Sequence, residues 1–272
     1  MRRVLKYPGS KWNIATQIVN LMPEHHSYVE PFLGSGAVLF NKPLSDIETV
    51  NDLDSDVTNL FRCIQQDPVQ LARLVMTTPF SREIYDEQFE SMQGGDSYQM
   101  AAGFLVKCWQ GHGYRTNGYK VGWKSDVQGR EKSYALWNWY RLPDWIIEIA
   151  ERLRKVQIEN RPALEVIERF NYSNVLQYWD PPYVFATRSG KQYKHEMNDK
   201  DHEKLLEAAL RSKAKIMISG YESELYNYYL KGWPKIHFRS CTEKGKSTTE
   251  VVWMNFENMQ QMSLTDIPGV MQ

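Results

Sequence analysis

The sequence predicts an α/β fold with a largely parallel sheet, and three observations support this prediction. Short β-like runs alternate with helical runs along much of the 272 residues. The run "AKIMISG" (214–220) is mostly apolar, which is typical of a strand buried on both faces. Near the end of the chain, "KIHFRS" (235–240) and "EVVWMNF" (250–256) alternate apolar and polar residues and are expected to pair as a hairpin.

The first two predicted strands each end in distinctive residues. "SYVEPF" (27–32) is expected to run into the turn "LGSG" (33–36), with a helix over "AVLFNK" (37–42). "IETVND" (47–52) is expected to form the second strand, followed by a helix that begins near Ser55. Both strands therefore deliver a loop to the same edge of the predicted sheet.

The later part of the chain returns to this alternation. "NVLQYW" (174–179) is predicted as the third strand. In the segment 198–212, Asn198 or Asp199 can cap a helix. Its apolar side chains share one face, namely Leu205, Leu206, Ala209 and Leu210.

The middle of the chain breaks the alternation. Its pattern is mainly helical, with a turn-rich stretch at 111–133 and a last helix expected to run from Pro143. Five of the nine tryptophans fall there, interleaved with basic side chains, so we interpret the segment as an inserted second domain. The predicted division is a catalytic domain of residues 1–60 and 156–260, an inserted domain of residues 61–155, and a C-terminal tail of residues 261–272.

Composition restricts the class of protein. A hydrophobic content of 42% and a charged content of 24% are typical of a soluble globular chain. No apolar run approaches the roughly 20 residues that a membrane span needs. The basic start "MRRVLKYPGSK" is not followed by an apolar segment of signal-peptide type, and the three cysteines form no pairing framework. A reducing, cytoplasmic setting is therefore expected.

Charge is unevenly distributed, although the formal net charge is +0. Basic residues outnumber acids in 1–11, 107–141 and 231–246, whereas acids concentrate in 46–56. This segregation is compatible with a basic face for nucleic acid, and also with ordinary solvated surface. Neither the histidines nor the cysteines have metal-ligand spacing, so no metal is expected.

Two motifs are expected at the carboxyl ends of strands, where open α/β sheets bind ligands. In "EPFLGSG" (30–36), Gly34 and Gly36 let the backbone approach a ligand closely, but Leu39 stands at the third-glycine position of the dinucleotide fingerprint. Asp52 ends the next strand, where a carboxylate can accept both hydroxyls of a ribose. A surface acid or a helix cap is the alternative interpretation of Asp52.

A third motif, Asp180-Pro181-Pro182-Tyr183, is expected at the same edge. Each proline fixes φ at roughly −65° and removes an N–H, and Pro181 pushes Asp180 towards extended backbone. Asp180 and the Pro181 carbonyl offer only acceptors, which match the two N–H donors of an exocyclic amine. Tyr183 can stack on a planar ring, so an adenine or cytosine edge fits. A rigid turn with a satisfied acid is the alternative.

Four motifs, taken in order, resemble the signature of the Dam-like DNA adenine-N6 methyltransferases: "KYPGSK" (6–11), "VEPFLGSG" (29–36), "NDLDSD" (51–56) and "DPPY" (180–183). "TEVVWMNF" (249–256) is similar to the last strand of that family, and the resemblance covers most of residues 3–256. It implies a Rossmann-like methyltransferase sheet, mostly parallel with an antiparallel C-terminal hairpin, and an inserted helical target-recognition domain.

The resemblance also implies the site residues. The cofactor would be S-adenosylmethionine, with S-adenosylhomocysteine as product and no metal. The cofactor-binding residues that it implies are Tyr7, Lys11, Phe32, Gly34, Gly36, Asp52 and Asp180. Several members have tryptophan at the position of Tyr7. The catalytic residues that it implies are Asp180, Pro181 and Tyr183.

The implied reaction is site-specific methyl transfer to N6 of adenine in duplex DNA. The adenine must swing out of the helix, at a cost of roughly a few kcal/mol. It would stack on Tyr183, with N6 hydrogen-bonded to Asp180 and to the Pro181 carbonyl, and alignment supplies most of the acceleration. Asp180 would also stabilise the positive charge that develops on N6.

Duplex DNA is the expected partner, without a membrane or an obligatory protein partner. Basic side chains of the insertion are expected to contact phosphates, while Arg115 or Asn117 could reach base edges. The expected DNA-binding residues are Lys107, Arg115, Asn117, Lys120, Lys124, Arg130, Arg188 and Lys191. The segment 112–123 matches the family's base-reading loop only loosely, so the DNA sequence that is recognised stays open. GATC is a recognition sequence common in this family and is expected on that ground alone. The biological role and the oligomeric state stay open as well.

Three other interpretations remain at this point. A methyltransferase of this kind can act on cytosine N4, an RNA base or a side-chain amide, although aspartate before the prolines favours adenine. A DNA-binding protein could hold the cofactor without catalysis. A nicotinamide dehydrogenase would account for the glycine turn and the acid-ended strand, but it leaves "DPPY" unexplained.

Overall fold

The computed structural model describes residues 1–90, 95–125, 134–187, 190–241 and 247–257, so the predicted C-terminal tail lies outside it. The strands are β1 Ser27–Glu30, β2 Ile47–Asn51, β3 Val156–Glu159, β4 Val175–Trp179, β5 Lys215–Gly220, β6 Lys235–Cys241 and β7 Ser247–Met254. The helices are α1 Ala15–Val19, α2 Ser55–Gln66, α3 Pro68–Thr77, α4 Arg82–Glu90, α5 Ser97–Gln110, α6 Tyr134–Leu153, α7 Ala163–Arg169, α8 Asp199–Arg211 and α9 Glu224–Tyr229. None of these helices is both long and apolar enough to cross a bilayer.

The strands form a seven-stranded sheet in the order β3-β2-β1-β4-β5-β7-β6. Strands β1 to β5 are parallel, and β7 runs antiparallel to both β5 and β6. The predicted α/β class, the mostly parallel sheet and the C-terminal hairpin are confirmed. The order reverses between β1 and β4, which places a ligand crevice at the carboxyl ends of these two strands.

Each face of the sheet packs against its own layer of helices. Leu176 and Tyr178 of β4 belong to a hydrophobic cluster with side chains of α2, α3, α5 and α6. Trp179 of the same strand belongs to a second cluster with side chains of α7, α8 and α9. Successive strand residues point to opposite faces, so the alternation along β4 produces a three-layer α/β/α arrangement.

Several predicted boundaries are confirmed. Helix α2 begins at Ser55, and the Asp54 carboxylate caps it by accepting the N–H of Asp56. Asn198 caps α8 through a capping box with Asp201. Both side chains satisfy N–H groups that a helix leaves unpaired at its start.

Two predicted helices differ from the observed structure. Residues 37–42 form only a 3₁₀ turn at Leu39–Asn41, because Lys42 precedes Pro43 and is extended (φ −94°, ψ 154°). The helix expected to start at Pro143 instead begins at Tyr134 and runs through the proline.

Packing explains why α6 tolerates an internal proline, which costs about 3 kcal/mol. Trp139, before the proline, is 6% exposed, and its indole N–H donates to the carbonyl of Thr78 at 3.0 Å. Leu142 and Ile146 on either side of the proline are fully buried. These contacts hold both halves of the helix against the core.

A buried ion cluster ties the middle segment to the sheet. Glu48 of β2 is 1% exposed and accepts hydrogen bonds from Lys42 at 2.6 Å and from Arg152 of α6 at 2.9 Å. Burial alone would raise the pKa of Glu48, but the hydrogen bonds from Arg152 and Lys42 outweigh it and lower the pKa. The helices of the insertion share a core with the sheet, and the division into two domains stays a prediction.

We expect Glu48→Gln to lower the free energy of unfolding by about 3–5 kcal/mol, because two buried cations lose their counter-charge. Urea unfolding followed by circular dichroism measures the loss. Glu151→Gln is the matched control, since the Glu151 carboxylate is 78% exposed and pairs with an exposed Arg154. A Glu48→Gln loss no larger than the control loss would show that the cluster does not stabilise the fold.

Candidate active site

A cavity of about 370 Å³ lies at the carboxyl ends of β1, β2 and β4. Its volume lies within the range of small-molecule sites. Its wall comes from the N-terminal loop, from the loops after β1, β2, β3 and β4, and from a segment before α8. The lining includes Tyr7, Lys11, Glu30, Phe32, Gly34, Asp52, Leu53, Pro162, Ala163, Leu164, Asp180, Tyr193 and Met197.

The glycine turn after β1 brings the N-terminal loop against the cavity. Gly34 (φ +48°) and Gly36 (φ +65°) have left-handed backbone, which disfavours other residues. A Cβ on Gly34 would lie 3.2 Å from the ring of Tyr7, and one on Gly36 would lie 2.6 Å from the ring of Phe40. The turn thus approaches Tyr7 more closely than a larger residue would allow.

Asp52 follows β2 and is held by backbone donors. One carboxylate oxygen accepts the N–H of Gly34 at 2.8 Å, and the other accepts the N–H of Asp54 at 2.9 Å. Burial raises the pKa of Asp52 to about 7 despite these bonds. Asp52 also lines the cavity. Asp54, two residues later, caps α2 and lies 3.3 Å from the ammonium of Lys194.

Lys11 and Asp180 form a buried ion pair in the wall of the cavity. The Lys11 ammonium lies 2.7 and 2.9 Å from the two Asp180 oxygens and also donates to the carbonyl of Gly9 at 2.7 Å. Burial alone would lower the pKa of Lys11, but the carboxylates of Asp180 and Glu250 raise it. Burial raises the pKa of Asp180 to about 6, while Lys11 opposes that change.

Tyr183, the last residue of the rigid motif, points its hydroxyl into the same cluster. The hydroxyl accepts a hydrogen bond from Lys11 and donates one to Glu250. Tyr183 is 8% exposed, and its ring centroid lies 4.5 Å from that of Tyr221. Sequence reasoning identified Asp180 and Tyr183 but missed Glu250 and Tyr221.

Two further acids, Glu30 and Glu250, lie near the Lys11–Asp180 pair, and only Glu30 belongs to a motif that is predicted to lie at the carboxyl end of a strand. Glu30 lies within the predicted glycine motif, and burial raises its pKa to about 8. Its carboxylate accepts the hydroxyl of Tyr28 at 3.0 Å. Glu250 is an acid at the start of the apolar run "VVWM", which is the only signal in the sequence for its burial.

A segment before α8, residues 190–197, covers one side of the cavity. The Tyr193 ring centroid lies 6.4 Å from that of Tyr7. The Glu196 carboxylate accepts the backbone N–H groups of Gln192 and Tyr193 at 2.7 and 3.0 Å. These bonds give the cover segment a defined backbone next to the glycine turn.

Thr116 joins the basic, turn-rich segment to this cover segment. Its backbone N–H donates to the carbonyl of Gln192 at 3.0 Å, and its hydroxyl oxygen accepts the N–H of Lys194 at 2.7 Å. Its hydroxyl also donates to the carbonyl of Gln192 at 3.3 Å. Asn117 adds a bond to the carbonyl of Lys191 at 3.0 Å. Sequence reasoning did not single out Thr116.

The predicted DNA-binding residues occupy different environments. Arg115, Asn117, Lys120 and Lys191 are exposed, and Lys120 pairs with Asp86 at 2.9 Å. Lys124 is partly buried and donates to the carbonyl of Trp109 at 3.3 Å.

Lys107 is 9% exposed, with its ammonium 5.9 Å from the ring centroid of Phe89. This burial does not favour a phosphate contact. Arg130 and Arg188 lie outside the described residues. Within the described ranges, no three His, Cys, Asp or Glu side chains group as metal ligands, and a metal-free reaction stays an expectation.

Comparison with known proteins identifies the family. Residues 7–248 match the D12 class N6 adenine-specific DNA methyltransferases. The chain belongs to this family. The match spans the N-terminal loop, the glycine turn, Asp52 and the Asp180–Tyr183 motif, so the resemblance that these motifs carry is confirmed.

Individual relatives are similar over different lengths. The chain is 26% identical over 101 residues to a DNA N-6-adenine-methyltransferase of Escherichia phage P1, which is 32% of the chain and 13% of the phage protein. It is 25% identical over 229 residues to the type II methyltransferase M.MjaIII of Methanocaldococcus jannaschii, covering 74% of the chain and 76% of the relative. A DNA adenine methylase of Vibrio cholerae is 25% identical over 192 residues, covering 67% and 65%.

We expect Gly36→Ala to lower the free energy of unfolding by about 2 kcal/mol or more, because alanine adds strain in left-handed backbone and its Cβ clashes with Phe40. Gly118→Ala is the matched control, because Gly118 is also left-handed (φ +80°) but has no atom within 4 Å of a Cβ. Urea unfolding compares the two losses of unfolding free energy. Equal losses would show that the close approach at Gly36 adds nothing to the strain.

Proposed function

We propose that this chain transfers a methyl group from S-adenosylmethionine to N6 of a flipped-out adenine in duplex DNA. One observation carries the proposal: the Asp180 carboxylate is held by Lys11 in the wall of a cavity that also contains the glycine turn and Asp52. Family membership supports the reaction type. No membrane or obligatory protein partner enters this proposal.

The lining of the cavity fits the proposed cofactor. The wall of the cavity that contains Asp52 also has apolar side chains, namely Leu53, Pro162, Ala163 and Leu164. Such a wall suits a purine ring, while the Asp52 carboxylate suits two ribose hydroxyls. Tyr7, Phe32 and the backbone of Gly34 would hold the remainder. When bound, S-adenosylmethionine supplies an electrophilic methyl group on a sulfonium.

Lys11 has a different proposed role from the one that the resemblance implies. Its ammonium is engaged by Asp180, Tyr183 and the carbonyl of Gly9, which all belong to the chain itself. We therefore assign Lys11 to the orientation of the catalytic motif. Its positive charge also favours the ionised form of Asp180.

The rigid motif would hold the acceptor base. With a pKa of about 6, Asp180 is mostly ionised at neutral pH and can accept a hydrogen bond from N6. The Pro181 carbonyl would accept the second N6 hydrogen, and Tyr183 would stack on the base. As N6 gains positive charge, the fixed Asp180 carboxylate stabilises it without reorganisation.

DNA would lie across the exposed basic residues next to the cover segment. Arg115 and Lys120 lie on the turn-rich segment, and Lys191 lies on the cover segment that Asn117 contacts. Their exposure allows them to reach phosphates. Lys107 is left out of this proposed surface because it is buried.

We expect Asp180→Ala to reduce methyl transfer by at least about a hundredfold, because the developing charge on N6 loses its fixed partner. DNA binding should survive, since exposed basic residues supply it. Incorporation of labelled methyl groups and mass spectrometry of the digested nucleosides measure the reaction, with exposed Asp46→Ala as control. A wild-type product of N4-methylcytosine or methylated RNA would refute the adenine proposal, and full activity of Asp180→Ala would refute the assigned role.

We expect Thr116→Val to weaken binding of S-adenosylhomocysteine about fivefold to thirtyfold. The valine can neither donate to the carbonyl of Gln192 nor accept the N–H of Lys194 in the cover segment, and each lost bond costs about 1 kcal/mol. Titration calorimetry measures the dissociation constant. Thr116→Ser keeps the hydroxyl and should bind the product with nearly wild-type affinity. Unchanged affinity of the valine variant would separate the turn-rich segment from the cofactor cavity.

A further inference from the structure

Glu250 is a buried carboxylate directly before a buried apolar run in β7. It is 4% exposed and is followed in β7 by Val251, Val252 and Trp253, which are all buried. Burying an acid in such surroundings costs free energy unless partners compensate. Its partners are the Tyr183 hydroxyl, which donates to it, and the Lys11 ammonium at 3.3 Å.

These contacts place Glu250 at one end of a network that spans the catalytic motif. Lys11 binds Asp180 at the start of the motif and Tyr183 at its end. Glu250 binds Tyr183 and faces the same ammonium. The motif is therefore anchored at both ends, once through the N-terminal loop and once through the last strand of the sheet.

We propose that Glu250 is a positioning residue for methyl transfer, acting through Tyr183 and Lys11 on the place where the acceptor base is held. The proposal rests on the proposed function of Asp180 and Tyr183. By holding the hydroxyl, Glu250 sets the direction of the tyrosine side chain that would stack on the base. By sharing Lys11, it sets how strongly the ammonium is drawn towards Asp180.

The charge of Glu250 also has a consequence for Asp180. A second carboxylate nearby disfavours the ionised form of Asp180, so it raises the pKa of that acid. Removing this charge should lower the pKa of Asp180 and move the acidic limb of the rate profile to lower pH. The other titratable groups around the pair are Lys11, Glu30, Tyr178, Tyr183, Tyr193 and Tyr226.

Glu250→Gln tests the proposal, because it removes the charge and keeps an oxygen acceptor. We expect the single-turnover rate at saturating DNA and S-adenosylmethionine to fall about tenfold to a hundredfold. The dissociation constant for S-adenosylhomocysteine should change less than about twofold, and the acidic limb should move to lower pH. Glu257→Gln, an exposed acid just after β7, is the control and should match wild type in all three measurements.

A structural role alone would not move the acidic limb. A wild-type rate for Glu250→Gln, or a reduced rate with an unmoved limb, would overturn the proposal.

A mutant cycle tests the same contact without relying on activity. Urea midpoints are compared for Glu250→Ala, Tyr183→Phe and the double variant, since each change removes one partner of the hydrogen bond between these two residues. We expect the double variant to lose clearly less stability, measured as the fall in urea midpoint, than the two single variants lose together. Additive losses would overturn the Glu250 proposal. Coupled losses in a wild-type protein that methylates no DNA would instead refute the proposed function and leave the contact established.

Discussion

The buried pair between Lys11 and Asp180 is the interaction on which the site depends. It joins residues 169 positions apart, so it holds the N-terminal loop against the end of β4. A buried ion pair is a weak source of net stability, because desolvation offsets much of the attraction. Its value here is geometric, since it fixes a carboxylate that two prolines already restrict. The glycine turn, Asp52 and the cover segment are arranged around that fixed point.

The sequence allowed much of the fold to be predicted for a physical reason. Strands β4 and β5 are buried on both faces, so their apolar side chains stand out, and Asn198 marks the start of α8 by its capping chemistry. Strand β3 was missed because it is short, partly exposed and at the edge of the sheet. The start of α6 was misplaced because Pro143 is a helix-start signal that the packing of Trp139 overrides.

The residues of the candidate site also differ in how far the sequence allowed them to be predicted. Asp180, Tyr183, Asp52 and the glycines lie in short motifs that stand out among their neighbours, and the family resemblance of those motifs implied their roles. Glu250 and Thr116 act through partners that are distant in sequence, and nothing in the neighbouring residues indicates those partners. The burial of Lys107 could not be predicted either, because a lysine in a helix is expected to be exposed unless the packing of that helix is known, and α5 is packed on most sides.

The bonds of Thr116 have a further meaning for the order of events on the enzyme. One residue of the turn-rich segment binds the backbone of the cover segment, and Tyr193 of that segment packs against Tyr7. Any ligand that stabilises this arrangement from the cavity side also stabilises it for a ligand on the outer side. By thermodynamic linkage, such an advantage is mutual and has the same size in both directions. The two substrates of a methyl transfer would then assist each other's binding through the protein as well as through their own contact.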